Sequence, residues 1–91
     1  MQSQVRNNRD ESRYELEVDG ATALAVYSVQ DGRISFTHTE VPEALEGRGI
    51  GSALIAGALA DVRGQGLRVV PICSFVRGYI ERHPEFQDLL G

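Results

Sequence analysis

A mixed α/β (α+β) fold is predicted for this chain: an antiparallel meander, then a strand–helix–strand unit, then a closing helix. Three observations predict it. Two Asp-Gly pairs, Asp19-Gly20 and Asp31-Gly32, separate three stretches whose composition suits strands. A four-residue recurrence of apolar side chains, Ile50, Leu54, Ala58 and Val62, follows a glycine-rich turn and marks one face of a helix. A short apolar run, Leu67 to Ile72, comes next and suits a strand covered on both faces.

Taken in order, residues 1–13 are polar and without periodicity, and they read as a flexible N-terminal arm before one domain over residues 14–91. Tyr14, Leu16 and Val18 alternate with Glu15, Glu17 and Asp19, the pattern of a strand with one wet face. Ala21 to Val29 is the returning strand. Arg33 to Val41 is the third, with Ile34, Phe36 and His38 expected on one face. The helix after Pro42 has Ile55 and Leu59 widening its apolar stripe, and Gly64 and Gly66 are expected to end it. A right-handed crossover then sets residues 67–72 parallel to residues 33–41. Ser74 is the expected cap of a last helix that carries Phe75, Val76, Tyr79 and Ile80 inward and stops near His83-Pro84. Glu85 to Leu90 adds a terminal helical turn.

Whole-chain properties narrow the function. Ninety-one residues make one domain, near the lower limit for a core without staples. A net charge of −4 leaves no basic footprint, which argues against direct nucleic-acid binding and is compatible with a cationic partner. The lone cysteine excludes an internal disulfide and favours a reducing, cytoplasmic setting. No apolar run approaches the ~18 residues of a membrane span, and the polar start Met1-Gln2-Ser3-Gln4 does not resemble a signal peptide. The expectation is a soluble monomer or weak dimer.

The stretch Glu46-Gly47-Arg48-Gly49-Ile50-Gly51-Ser52 carries the sharpest signal. Glycines at alternate positions let the backbone approach a ligand closely. The helix that starts there points unpaired N–H groups and a positive dipole end outward, which suits phosphate. The spacing excludes two well-known nucleotide loops. A Walker A loop needs a lysine, absent from this segment. A dinucleotide fingerprint needs a third glycine where Ser52 or Leu54 stands. The other reading is a glycine-rich helix start that merely turns the chain.

The run resembles the pyrophosphate loop of the GNAT superfamily of N-acetyltransferases, Arg/Gln-x-x-Gly-x-Gly/Ala, with Glu46, Gly49 and Gly51 in the first, fourth and sixth places. Glu46 departs from that pattern. Val41, five residues ahead of Glu46 and followed by Pro42-Glu43, matches the valine that ends the preceding strand in the family. The resemblance covers residues 14–90, without the family's paired helices after the first strand and without its last two strands. These omissions, with Val70-Pro71-Ile72-Cys73-Ser74-Phe75-Val76 and His83-Pro84-Glu85-Phe86, resemble the small YjdJ-type subgroup. The resemblance implies a minimal GNAT fold that binds acetyl-CoA without a metal. It also implies transfer of the acetyl group to a primary amine such as a lysine side chain or chain terminus. In that case Val41, Arg48, Gly49, Ile50, Gly51 and Ser52 contact coenzyme A.

Three residues are candidates for the chemistry. Cys73 stands where the resemblance places the thioester, either as a nucleophile that takes the acetyl group or as a wall of the site. Glu40 is the candidate base for direct transfer, with His38 in reserve; the bland reading of both is an exposed strand end. Tyr79 falls one residue short of the family's acid position, which Ile80 occupies, so it reads as a packing residue. His38, Cys73 and His83 follow no zinc spacing. Two other classes stay open: a coenzyme A-binding module without efficient catalysis, and a small scaffold that pairs through a sheet edge.

Overall fold

The computed structural model describes residues 4–91. Five strands form one sheet in the order of the chain: β1 (Arg6–Asn8), β2 (Arg13–Val18), β3 (Ala21–Gln30), β4 (Arg33–Glu40) and β5 (Arg68–Pro71). The first four are antiparallel, and β5 runs parallel to β4. Helix α1 (Ile50–Gln65) makes the crossover between β4 and β5, and α2 (Ser74–Arg82) follows β5 before a 3₁₀ segment, Pro84–Leu89.

Both Asp-Gly pairs make tight turns with left-handed backbones. Asp19 has φ 51° and Gly20 φ 80°; Asp31 has φ 55° and Gly32 φ 76°. Two consecutive positive φ values match the twist of the flanking strands, which is why the dipeptide specifies the hairpin. One face of the sheet is then apolar by alternation. Tyr14 and Leu16, Ala23, Ala25 and Tyr27, Ile34 and Phe36, and Val69 are all buried there. Leu54, Ile55, Ala58, Leu59 and Val62 of α1 and Val76, Tyr79 and Ile80 of α2 complete the same core. Small Ala23 and Ala25 leave room for α1, while the Tyr14, Tyr27 and Phe36 rings fill the space beside them at centroid separations of 5.3–6.3 Å.

Four expectations need correction. The segment expected as a flexible arm supplies β1, joined to β2 through Glu15, whose carboxylate accepts hydrogen bonds from Arg6 at 2.6 Å, Arg13 at 2.6 Å and Asn8 at 3.0 Å. Val5 also packs onto Gly57 of α1, where a Cβ would not fit; residues 1–3 lie outside the described residues. Gly64 does not end α1, which runs to Gln65 and closes at Gly66 in the left-handed conformation, φ 72°. Cys73, not Ser74, holds the N-cap position of α2.

The fourth correction is the largest. Tyr27 opposes Phe36 while Val26 opposes His38, so Thr37 is an extra residue bulged out of β4. Before the bulge Ile34 and Phe36 face the helices. After it the alternation is reversed: His38 shares the outer face with Val26, and Thr39 shares the inner face with Ala25. His38 therefore does not join Ile34 and Phe36.

Candidate active site

The glycine loop and the open end of the β4–β5 pair meet at one end of the sheet. The two strands are paired from Arg33↔Arg68 to Phe36↔Pro71 and no further, although β4 stays paired to β3 as far as Leu24↔Glu40. The next N–H that would face β4, that of Ile72, turns back instead to the Val70 carbonyl at 3.1 Å. Beyond Pro71 the chain bends away, and the Cys73 N–H donates to the Phe36 carbonyl at 2.8 Å. The edge of β4 from Thr37 to Glu40 thus lacks a β5 partner. On that edge the Thr39 hydroxyl lies 3.3 Å from Sγ of Cys73, the N-cap residue of α2.

The loop lies beside this end of β4 and α2, with Gly51 against Val41 and Phe75. Gly47 (φ 80°) and Gly49 (φ 72°, ψ 16°) bracket Arg48, and an added Cβ at either glycine would meet nothing within 4 Å. The first bond of α1 runs from the Ala53 N–H to the Gly49 carbonyl at 3.1 Å, which leaves the amides of Ile50, Gly51 and Ser52 without a carbonyl in their own helix. No side chain caps this end, and no acidic residue lies in its first turn. Those features fit an anion. Gly51 serves packing as well: a Cβ there would stand 2.7 Å from the Phe75 ring and 3.3 Å from Val41. Arg48 leaves the loop sideways, and its guanidinium donates to Asp19 at 2.9 Å. Glu46 is exposed immediately before Gly47.

The three chemistry candidates do not converge on one point. His38 and Glu40 form an exposed pair on the outer face, Nε2 to Oε2 2.8 Å. Cys73 is half-buried near the inner face, where its Sγ lies 3.3 Å from the Thr39 hydroxyl. Burial pushes the Cys73 thiol up, but the Thr39 hydroxyl and the amides of Val76, Phe75 and Thr39 outweigh it, and the thiol titrates below its ordinary value. Iodoacetamide is therefore expected to alkylate Cys73 along a pH curve whose midpoint lies below that of glutathione. Thr39→Val should move that midpoint upward, and an unchanged midpoint would refute the role of the hydroxyl.

Tyr79 packs, as its register suggests. It is buried, stacks on His83 at 3.8 Å, and burial, reinforced by Glu85, pushes its phenol up. Sequence reasoning missed Thr39 and Asp19 as partners in this region, and it placed Phe75 inward, whereas that ring is 39% exposed and lies against Gly51. Among the described residues no group of three or more His, Cys, Asp or Glu side chains is placed to hold a metal, and no helix is long and apolar enough to cross a membrane.

Comparison with known proteins decides the family. The family model described as GCN5-related N-acetyl-transferase matches residues 13–89. The chain belongs to the GCN5-related N-acetyltransferase family. Relatives of this N-acetyltransferase include Protein NATD1 of Gallus gallus, 31% identical over 84 residues that span 89% of this chain and 76% of that protein. NATD1 of Mus musculus is 30% identical over 83 residues, 88% of this chain and 76% of its own length. Among solved structures, that of a GCN5-like candidate N-acetyltransferase from Staphylococcus aureus superposes with a TM-score of 0.74 at 25% identity. The match covers 97% of this N-acetyltransferase and 87% of that chain.

Proposed function

We propose that this N-acetyltransferase binds acetyl-CoA where β4 and β5 part beyond Phe36 and transfers the acetyl group to a primary amine carried by a protein or peptide. One observation carries the reading: β5 leaves β4 at Pro71, and the unpaired edge of β4 leads to an uncapped helix end flanked by glycines. In this reading the amides of Arg48 to Ser52, with Gly49, Ile50 and Gly51 at the centre, hold the pyrophosphate. The backbone near Val41 polarises the acetyl carbonyl. Acetyl-CoA supplies a thioester whose carbonyl carbon an uncharged amine attacks, and the thiolate departs.

The chain's own residues divide the remaining work between the two faces of the sheet. Glu40, paired with His38, takes the proton of the attacking amine on the outer face. Cys73 and Thr39 line the inner side of the acetyl-CoA site. Sheet and helices leave the outer face uncovered next to Glu40, so an amine on a protruding side chain or chain terminus reaches it more readily than an enclosed small molecule does. The net charge of −4 favours a cationic acceptor. The lone, reduced cysteine suits a cytoplasmic setting.

A second route is favoured by the contact between Thr39 and Cys73. A thiol held below its ordinary titration range is a better nucleophile, and Cys73 could then carry the acetyl group before the amine receives it. Titration of acetyl-CoA by calorimetry, followed by thiol release with a panel of lysine peptides, tests the proposal. Saturable binding and amine-dependent release are expected. Binding without release would reduce the protein to a coenzyme A-binding module, and no binding at all would overturn the reading. An acetyl adduct on Cys73, removable by hydroxylamine and formed without amine, would select the second route.

A further inference from the structure

The ion pair between Arg48 and Asp19 joins the glycine loop to the β2–β3 turn, across 29 positions of sequence. Its two ends are built differently from an incidental surface contact. Arg48 sits between two glycines in the left-handed conformation, a turn that sets the direction in which its side chain leaves the loop. Asp19 occupies the first place of a two-residue turn closed by the Val18↔Ala21 pair, with φ 51°, a conformation that an aspartate tolerates and a bulky residue resists. The carboxylate is thereby aimed at the loop from a rigid hairpin. Both side chains are nonetheless exposed, Arg48 by 48% and Asp19 by 71%, so water and salt weaken the pair.

We propose that Asp19 acts as a placeholder for phosphate, holding Arg48 at the edge of the loop until coenzyme A displaces it. The inference rests on the coenzyme A reading above and deepens it. A guanidinium beside an aspartate contributes little net positive charge to an approaching anion. A phosphate competes well for the same fork, since its oxygens accept two parallel N–H bonds and carry charge. The exchange keeps Arg48 ordered in both states and frees Asp19 to return to water. Removing the Asp19 charge should therefore strengthen binding, and should do so only through Arg48.

Calorimetric titration of coenzyme A into the wild type, Asp19→Asn, Arg48→Ala and the double variant tests this. Asparagine is among the residues that best tolerate a left-handed backbone, so the turn is kept. Asp19→Asn is expected to tighten coenzyme A binding roughly two- to fivefold at low salt, the range open to an exposed ion pair. Arg48→Ala should weaken binding, and in its background Asp19→Asn should change nothing. Unchanged or weaker binding by Asp19→Asn would overturn the proposal, the latter by showing that Asp19 pre-sets Arg48 for the ligand. A gain that persists without Arg48 would also overturn it, as a general charge effect. Failure of the wild type to bind would instead refute the coenzyme A reading, so the two failures are distinguishable.

Discussion

Gly49→Val is expected to lower coenzyme A affinity at least about tenfold, or ~1.4 kcal/mol, while leaving the sheet and helices folded. Gly49 has φ 72° and ψ 16° at the N-cap of α1. A left-handed conformation costs an ordinary L-residue ~1–2 kcal/mol, and a β-branched one more. The chain can relieve that strain only by turning the peptide that precedes Ile50, which re-aims the amides the anion would use. Space alone is not the obstacle, because nothing lies within 4 Å of an added Cβ. Gly64→Ala is the matched control. It sits inside α1 with open space around it, and alanine there should stabilise the helix by about 0.5–1 kcal/mol and leave affinity untouched. Calorimetry on the three proteins checks both statements, and equal affinities would detach the loop from the ligand.

Glu15→Ala is expected to destabilise the protein by about 1–3 kcal/mol, because it strips the partner from Arg6, Asn8 and Arg13 at once. That is a sizeable share of the ~5–15 kcal/mol that holds a typical domain together. The effect should depend on pH. Hydrogen bonds from Arg13, Arg6 and Asn8 lower the carboxyl from 4.5 to about 2. A depressed carboxyl stabilises the fold above its unfolded value and loses that contribution as the pH falls through its folded value. The wild type should therefore exceed Glu15→Gln in stability at neutral pH, and the difference should shrink between pH 4.5 and about 2. Urea denaturation across that interval is the measurement. A gap independent of pH would mean that Glu15 acts by packing and not by charge.

The parts of this fold that were legible in the sequence are those governed by local rules. Asp19-Gly20 and Asp31-Gly32 announce left-handed turns because few other residues accept them. The spacing of Ile50, Leu54, Ala58 and Val62 announces a helix face because the period belongs to the helix itself; Ile50 is half-buried and the other three are fully buried. The loop from Glu46 to Ser52 was visible for the same reason, its glycines at 47 and 49 both taking positive φ. What stayed hidden depends on a partner elsewhere in the chain. Polar Arg6–Asn8 becomes a strand because Glu15 binds it from the outer face, and no pattern within residues 6–8 says so. The bulge at Thr37 exists only as a mismatch between β3 and β4, without a glycine or proline to mark it. It moved His38 away from the core face and brought Thr39 to Cys73. The ion pair of Arg48, expected as a coenzyme A contact, with Asp19 stayed hidden for the same reason: the two are distant in sequence.

That mismatch makes the site adjustable by chain length alone. In an unbroken strand, identity at each position fixes which face a side chain serves, and changing faces takes a substitution at every position. With one extra residue at Thr37, the segment Thr37 to Glu40 is offset by one from the strand that precedes it. Deleting Thr37 would restore the alternation and exchange the two sets: His38 and Glu40 would turn toward the thiol, and Thr39 would turn outward. An insertion or deletion here thus redistributes acid–base groups between the two sides of a sheet without altering any of them. Relatives of different strand length could in this way share the same residues and use opposite faces.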